Sequence, residues 1–171
     1  IAQDPHDNST IYYGSQFVHK STDKGQNWSI ISPDLTTDDP ERQKQIESGG
    51  LTYDVTQAEN YCSIITIAPS TLDKDVIWVG TDDGNLQLTT DGGGSWEKLN
   101  KRIKDMPVGA WIPQIVPSAH SAGEAFVIVN NYRKDDWTPF LYHTTDFGKS
   151  WVNLLEGNKV WGYTLSVVQD P

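Results

Sequence analysis

Two groups of side chains in this 171-residue sequence have types suited to work on a sugar or a peptide. The first is acidic: Glu59 and the adjacent Asp82 and Asp83, with Asp54, Asp135 and Asp136 in other loop-like stretches. Two carboxylates facing across a cleft can serve as acid and base on a glycosidic bond. About 5–5.5 Å between them favours retention of configuration and about 6.5–9.5 Å inversion. Glu59 paired with Asp82 or Asp83 is the combination to consider, because Glu59 stands just before an apolar, strand-like run. The second group is aromatic and basic: Tyr132, Arg133, Trp137 and Trp161, with Trp111 and Tyr163 beside them in type. Flat rings stack on apolar faces, and a guanidinium pairs with a carboxylate. Each group also has a purely structural reading. Asp82-Asp83-Gly84-Asn85 reads as a hairpin turn, Asp135-Asp136 as a solvated loop tip, and Trp111 and Tyr163 as packing residues at the start of inner strands.

Other chemistries find no support. Cys62 is the single cysteine and lies in the apolar run Cys62-Ser63-Ile64-Ile65-Thr66-Ile67, the setting of a buried, inert thiol. His6, His19, His120 and His143 never stand at metal-ligand spacing from one another. The acidic stretch from Asp34 to Glu41 lacks the alternating ligands and glycine of a calcium loop. It reads instead as a helix start, with Asp38 or Asp39 as cap, Pro40 in the first position and a short helix over 41–47. No metal and no cofactor is expected. The formal charge of −10 repels a phosphate backbone, so nucleic acid is not expected as a partner. No apolar run approaches the roughly 20 residues of a membrane span. The opening Ile1-Ala2-Gln3-Asp4-Pro5 is not a signal peptide and looks like the middle of a repeat.

The elements that must carry these residues are announced by repetition. Three octets share one pattern: Ser21-Thr22-Asp23-Lys24-Gly25-Gln26-Asn27-Trp28, Thr89-Thr90-Asp91-Gly92-Gly93-Gly94-Ser95-Trp96 and Thr144-Thr145-Asp146-Phe147-Gly148-Lys149-Ser150-Trp151. An Asp entering a tight turn accepts hydrogen bonds from the amides that follow, the Gly takes a positive φ, and the Trp starts a strand and packs between sheets. Each part serves a turn, so Asp23, Gly25, Trp28, Asp91, Gly93, Trp96, Asp146, Gly148 and Trp151 are structural residues. β-branched and aromatic runs precede each octet in sets, and a short strand follows it. Four strands per unit, with the octet between the third and fourth, is the pattern of a β-propeller blade. The expected class is all-β: four-stranded antiparallel sheets, three blades plus one strand of a fourth. The boundaries read as blade 1 over 1–32, a long loop over 33–61, blade 2 over 62–100, a connecting loop over 101–110, blade 3 over 111–156, and the first strand of the next blade over 157–171. Ala2-Gln3-Asp4-Pro5 and Val168-Gln169-Asp170-Pro171 match each other. The remaining blades of a ring would then come from a longer parent chain or from copies joined head to tail.

The octet resembles the Asp-box, or BNR, motif. Ile31-Ser32-Pro33-Asp34-Leu35-Thr36, Ser48-Gly49-Gly50-Leu51-Thr52, Ala58-Glu59-Asn60-Tyr61-Cys62 and Ile77-Trp78-Val79-Gly80-Thr81-Asp82-Asp83-Gly84-Asn85 extend the likeness to secreted bacterial proteins with sortilin-type, BNR-like repeats, often labelled glycosyl hydrolases. That resemblance implies a many-bladed propeller in an extracellular or periplasmic setting, and no agreed activity. Such boxes also occur in sialidases, in xyloglucan-degrading endoglucanases and in sortilin-type receptors. A sialidase would need an arginine triad, and the three arginines, Arg42, Arg102 and Arg133, lack the expected Ile-Pro context. Two expectations follow: a noncatalytic scaffold or binding module for a glycan or protein, or a glycoside hydrolase acting through Glu59, Asp82 and Asp83. In both, the working face is the one formed by the loops 33–61, 82–85, 100–110, 131–138 and 157–162.

Overall fold

The computed structural model describes residues 1–41, 43–44, 61–155 and 160–170. Within these, three four-stranded antiparallel sheets follow one another, each a meander in chain order. The first holds β1 (Ala2–Gln3), β2 (Ile11–Gly14), β3 (Val18–Ser21) and β4 (Ser29–Ile30). The second holds β5 (Ile64–Pro69), β6 (Ile77–Thr81), β7 (Leu86–Thr89) and β8 (Glu97–Lys98). The third holds β9 (Trp111–Pro117), β10 (Ala125–Asn131), β11 (Asp136–Thr144) and β12 (Val152–Asn153). A sheet covered on both faces needs no polar alternation. The middle sheet has such cover, and every residue of β6 and β7 is buried. In the first sheet, β2 and β3 mix buried with partly exposed positions.

Two cores fill the spaces between sheets. Tyr12, Val18, Leu35, Ile64, Ile77 and Val79 pack between the first and second. Trp78, Leu86, Leu99, Ile112, Val127 and Val129 belong to the core between the second and third. Where the inner strands meet, small residues set the spacing. A Cβ on Gly14 would stand 2.7 Å from Ile64 Cγ2, and one on Gly80 2.6 Å from Ile112 Cγ2. The corresponding residue of β10 is Ile128, and two residues beyond it Asn130 Nδ2 donates to Thr164 O at 3.3 Å. Further along, Val167 N donates to Gln114 Oε1 at 2.9 Å and Ala119 N to Gln169 Oε1 at 3.1 Å. Thus 163–169 runs against the third sheet where an inner strand of a fourth blade belongs. It has no ladder partner of its own among the described residues.

The octets are closed hydrogen-bonded turns. The first hydroxyl donates to the Asp carboxylate at 2.7–2.9 Å and accepts the Gly amide at 2.8–3.0 Å. The Asp Oδ1 accepts the amide of the seventh residue at 2.8–2.9 Å. Its Oδ2 accepts that residue's side chain at 2.6 Å, from Asn27, Ser95 or Ser150. The glycines have φ of 89° at Gly25, 102° at Gly93 and 74° at Gly148. The fourth residue is left-handed as well, at Lys24, Gly92 and Phe147, which the sequence pattern did not indicate. Trp96 reaches back to the preceding sheet, Nε1 donating to Ile31 O at 2.8 Å, and Trp151 meets Trp78 edge-on at 6.2 Å. Trp28 has no sheet before it among the described residues and is 44% exposed. The strands begin one residue after each Trp rather than at it.

Hydrogen bonds sort the loops onto two faces. The octets lie with the loops between first and second strands: Lys24 N donates to Ser9 O, Gly92 N to Asp75 O and Phe147 N to Gly123 O, each at 2.9 Å. On the opposite face the second-to-third hairpins meet the loops that link sheets. There Thr37 N donates to Asp83 Oδ2 at 2.6 Å and Lys134 Nζ to Val108 O at 2.6 Å. At the helix start expected near Asp39, Glu41 N donates to Asp39 Oδ1 at 3.0 Å and Gln43 N to Asp39 O at 3.2 Å. The described residues of the expected helix, Glu41, Gln43 and Lys44, form a turn and not a helix; 42 and 45–47 lie outside the described residues.

Candidate functional site

The hairpin joining β10 to β11 carries the main cluster of rings. Its backbone makes one 3-10 turn over Tyr132–Lys134 and leaves it through Asp135 at φ 57°. Tyr132 is the hub, with ring centroids 6.1 Å from Trp111, 6.2 Å from Trp137 and 5.4 Å from Tyr163. Trp137 and Tyr163 are 5.6 Å apart. The Arg133 guanidinium lies 3.5 Å from the centre of the Trp111 ring, so stacking holds its plane before any ligand arrives. Beyond Trp137 opens a cleft of about 650 Å³, bounded by Asp135, Asp136, Trp137, Asn153, Leu155 and Trp161. Trp137 is 53% and Trp161 94% exposed.

The structure thus brings together Tyr132, Arg133 and Trp137, and sets Trp161 on the far side of the cleft. Trp111 and Tyr163, read from sequence as packing residues, join the cluster, Trp111 half-buried and Tyr163 exposed. No spacing pattern could have placed Tyr163 there, because its neighbours are 26 or more positions away in the chain.

The acidic candidates have different fates. Asp83 is buried and fully engaged: its carboxylate accepts the Thr81 hydroxyl, the Thr37 amide at 2.6 Å and the Thr37 hydroxyl at 2.8 Å. It ties the loop after the first sheet to the second. Asn85 and Gln87 finish that attachment, each donating to Leu35 O, at 2.9 and 3.0 Å. Asp82 is also buried and accepts Ser63 N at 2.8 Å. Burial, together with the charge of Asp83, pushes its carboxyl up to about 6, against the opposing pull of the Ser63 amide and of Arg133. The hairpin reading of 82–85 holds as well, with Gly84 at φ 89°. Glu59 and Asp54 lie outside the described residues. Among the described residues no three His, Cys, Asp or Glu side chains gather as a metal site would require.

Comparison with solved structures identifies the architecture. An ancestral GH74 enzyme superposes with a TM-score of 0.60 at 17% identity, over 88% of this chain and 17% of its own. The GH74 xyloglucanase from Xanthomonas campestris gives 0.57 at 16% identity, over 94% and 23%. YCF48 bound to D1 peptide gives 0.52 at 21% identity, over 86% and 37%. The chain is a stretch of β-propeller. At these identities the likeness is one of fold. No protein-family model and no curated protein sequence matches it. The propeller segment spans between about one sixth and just over one third of the length of these structures. No helix among the described residues is long and apolar enough to cross a membrane.

Propeller geometry explains why the ring cluster forms. The hairpin between second and third strands and the entry to the next inner strand rise on one face, so Tyr132 and Trp137 from the former meet Tyr163 from the latter. Trp111 enters from the start of β9, directly beside the end of β10, with which it pairs at Asn130.

Proposed function

We propose that this propeller segment is a noncatalytic binding module that holds an extended polymer, a glycan or a protein segment, across its loop face. The observation that carries the reading is the ring cluster around Tyr132. It presents an exposed Trp137 beside an open cleft, and holds Arg133 stacked on Trp111 outside that cleft. Such a surface recognises planes and edges and needs no reacting group. Two of the fold neighbours handle polymers by their names, one being a xyloglucanase and another being bound to a peptide. In the same reading the octets are Asp boxes of the BNR type and serve only as turns. The module works outside the cytoplasm, in the envelope or beyond it, and the rest of its ring comes from a longer parent chain or from head-to-tail copies.

One observation favours a second reading, a glycoside hydrolase. Asp82 is a buried carboxyl that holds its proton up to about 6, as a general acid must. Its partner would be Glu59, since Asp83 spends its oxygens on Thr37 and Thr81. A single pair of measurements separates the readings. Retention of the protein on immobilised xyloglucan and on a tiled array of synthetic peptides is compared with reducing-end release from soluble xyloglucan. Binding predicts that Trp137→Ala lowers retention about tenfold with no sugar release by either form. Release that disappears in Asp82→Asn and in Glu59→Gln would replace binding with hydrolysis.

A further inference from the structure

Within the binding reading, on which this step rests, we propose that the cleft beyond Trp137 takes a cationic side chain, an arginine or lysine of a peptide segment. The hairpin 132–137 carries two cations and two carboxylates in sequence, and the fold separates them. Arg133 turns onto the ring of Trp111, and Lys134 Nζ donates to Val108 O at 2.6 Å. Neither Arg133 nor Lys134 lines the cleft: one is held on Trp111 and the other on Val108. Asp135 and Asp136 remain on the cleft side.

The two carboxylates are prepared differently. Asp136 accepts Asn131 Nδ2 at 2.9 Å and Thr138 N at 3.1 Å, and these donors, Asn131 foremost, hold its carboxyl below the usual range. It therefore stays charged. Asp135 stands exposed at the tip; its backbone N–H donates to Tyr132 O at 3.0 Å, and its carboxylate makes no hydrogen bond or ion pair among the described residues. Trp137 and Trp161, both open to solvent, line the same cleft. Exposed rings beside two carboxylates attract a cation and repel an anion. An exposed ring contributes about 2- to 5-fold in affinity to a guanidinium or ammonium group. The net charge of −10 adds long-range steering of the same sign. A volume of about 650 Å³ exceeds one side chain and leaves room for the flanking peptide. A neutral sugar would stack on the same rings while leaving both charges uncompensated, so the carboxylates favour a basic peptide over a neutral glycan.

The test is calorimetric titration of the full chain with acetylated tri-arginine amide and with its neutral isostere, acetylated tri-citrulline amide, at 150 mM salt. At that ionic strength charges beyond about 8 Å are screened, so the signal reports the local site. Tri-arginine should bind at least about tenfold more tightly than tri-citrulline. Asp135→Asn and Trp137→Ala should each weaken it at least about threefold. Asp75→Asn, which removes an exposed carboxylate on the octet face, should leave it unchanged. Equal affinities for the two peptides would overturn the proposal, as would an Asp75→Asn loss as large as that of Asp135→Asn, which would reduce the effect to bulk charge. Failure here is distinct from failure of the binding reading. If Trp137→Ala still lowers retention on xyloglucan or on neutral peptides while arginine and citrulline bind alike, binding stands and only the cationic preference falls.

Discussion

At the octets, Asp23, Asp91 and Asp146 each accept amide and side-chain donors that favour the charged carboxylate, and their carboxyls are held at about 2. A group depressed in the folded state adds stability that is present above its unfolded value of 3.8 and is lost as pH falls through about 2. Asp82 has the opposite sign. Its carboxyl is raised from 3.8 to about 6, so its share of stability is complete below about pH 4 and is lost as pH rises through 6. Two variants resolve these contributions in melting curves taken from pH 2.5 to 8. Asp91→Ala should lower the melting temperature by a few degrees at pH 7, and the gap should narrow toward pH 2.5. Asp82→Asn should melt like the parent at pH 4 and more stably at pH 7, since the amide still offers Ser63 N an acceptor without burying charge. A constant gap for Asp91→Ala across the range would mean that the charge of the octet is irrelevant to its turn. A parent-like profile for Asp82→Asn would place the Asp82 carboxyl near its ordinary value.

At the scale of the strand and its turn, the octet glycine has two separate duties, and the repeats allow them to be measured apart. Gly25 and Gly93 share a positive φ, of 89° and 102°, which costs a side-chain-bearing residue roughly 1–3 kcal/mol. A Cβ on Gly25 would meet Ile11 Cδ1 at 3.4 Å, an ordinary contact, whereas one on Gly93 would stand 2.7 Å from Ile31 O of the preceding sheet. Gly93→Ala should therefore destabilise more than Gly25→Ala, by about 1–3 kcal/mol of overpacking, in denaturant titration. Equal losses would mean that the contact between sheets relaxes freely. This duality bears on what the sequence could reveal. The turn chemistry of Asp23, Asp91 and Asp146 is local, within eight residues, and repeats three times, so strands, octets and sheet order were all legible. The contact of Gly93 with Ile31 joins residues 62 positions apart and leaves no periodic trace. The same limit applied at the site. Tyr132, Arg133 and Trp137 were recognisable as a loop-face group because they share one hairpin. The burial of Asp82, the capture of Thr37 by Asp83, and the place of Tyr163 beside Tyr132 arise only when separate sheets are docked.

For the whole molecule, the middle sheet defines what a covered blade looks like, and the outer two differ from it in what they expose. Trp96 and Trp151 pack against a preceding sheet, while Trp28, at the same place in the first, is 44% exposed and Tyr13 beside it 46%. At the other end Val152 is 60%, Leu165 72% and Val168 86% exposed. Apolar surface of this kind is stabilised by another blade, and the two ends are complementary in type: an octet with its Trp at one, an outer strand and an unpaired inner segment at the other. Light scattering on the 19.1 kDa chain over a hundredfold concentration range reads which surface covers them. If the ring is completed by blades of a longer parent chain, the mass rises gradually with concentration and reaches no fixed multiple. Trp28→Ser and Val152→Ser should then each reduce that rise, because they thin the two exposed ends independently. If copies complete one another, the mass holds at twice 19.1 kDa on dilution, and either substitution alone returns it to the monomer, since in a head-to-tail contact each end meets the other. We expect the gradual rise. The loop-face cleft lies beside Trp161, at the end where a following blade would dock, so a stable dimer would mean that the binding measurements on this chain report a two-chain site.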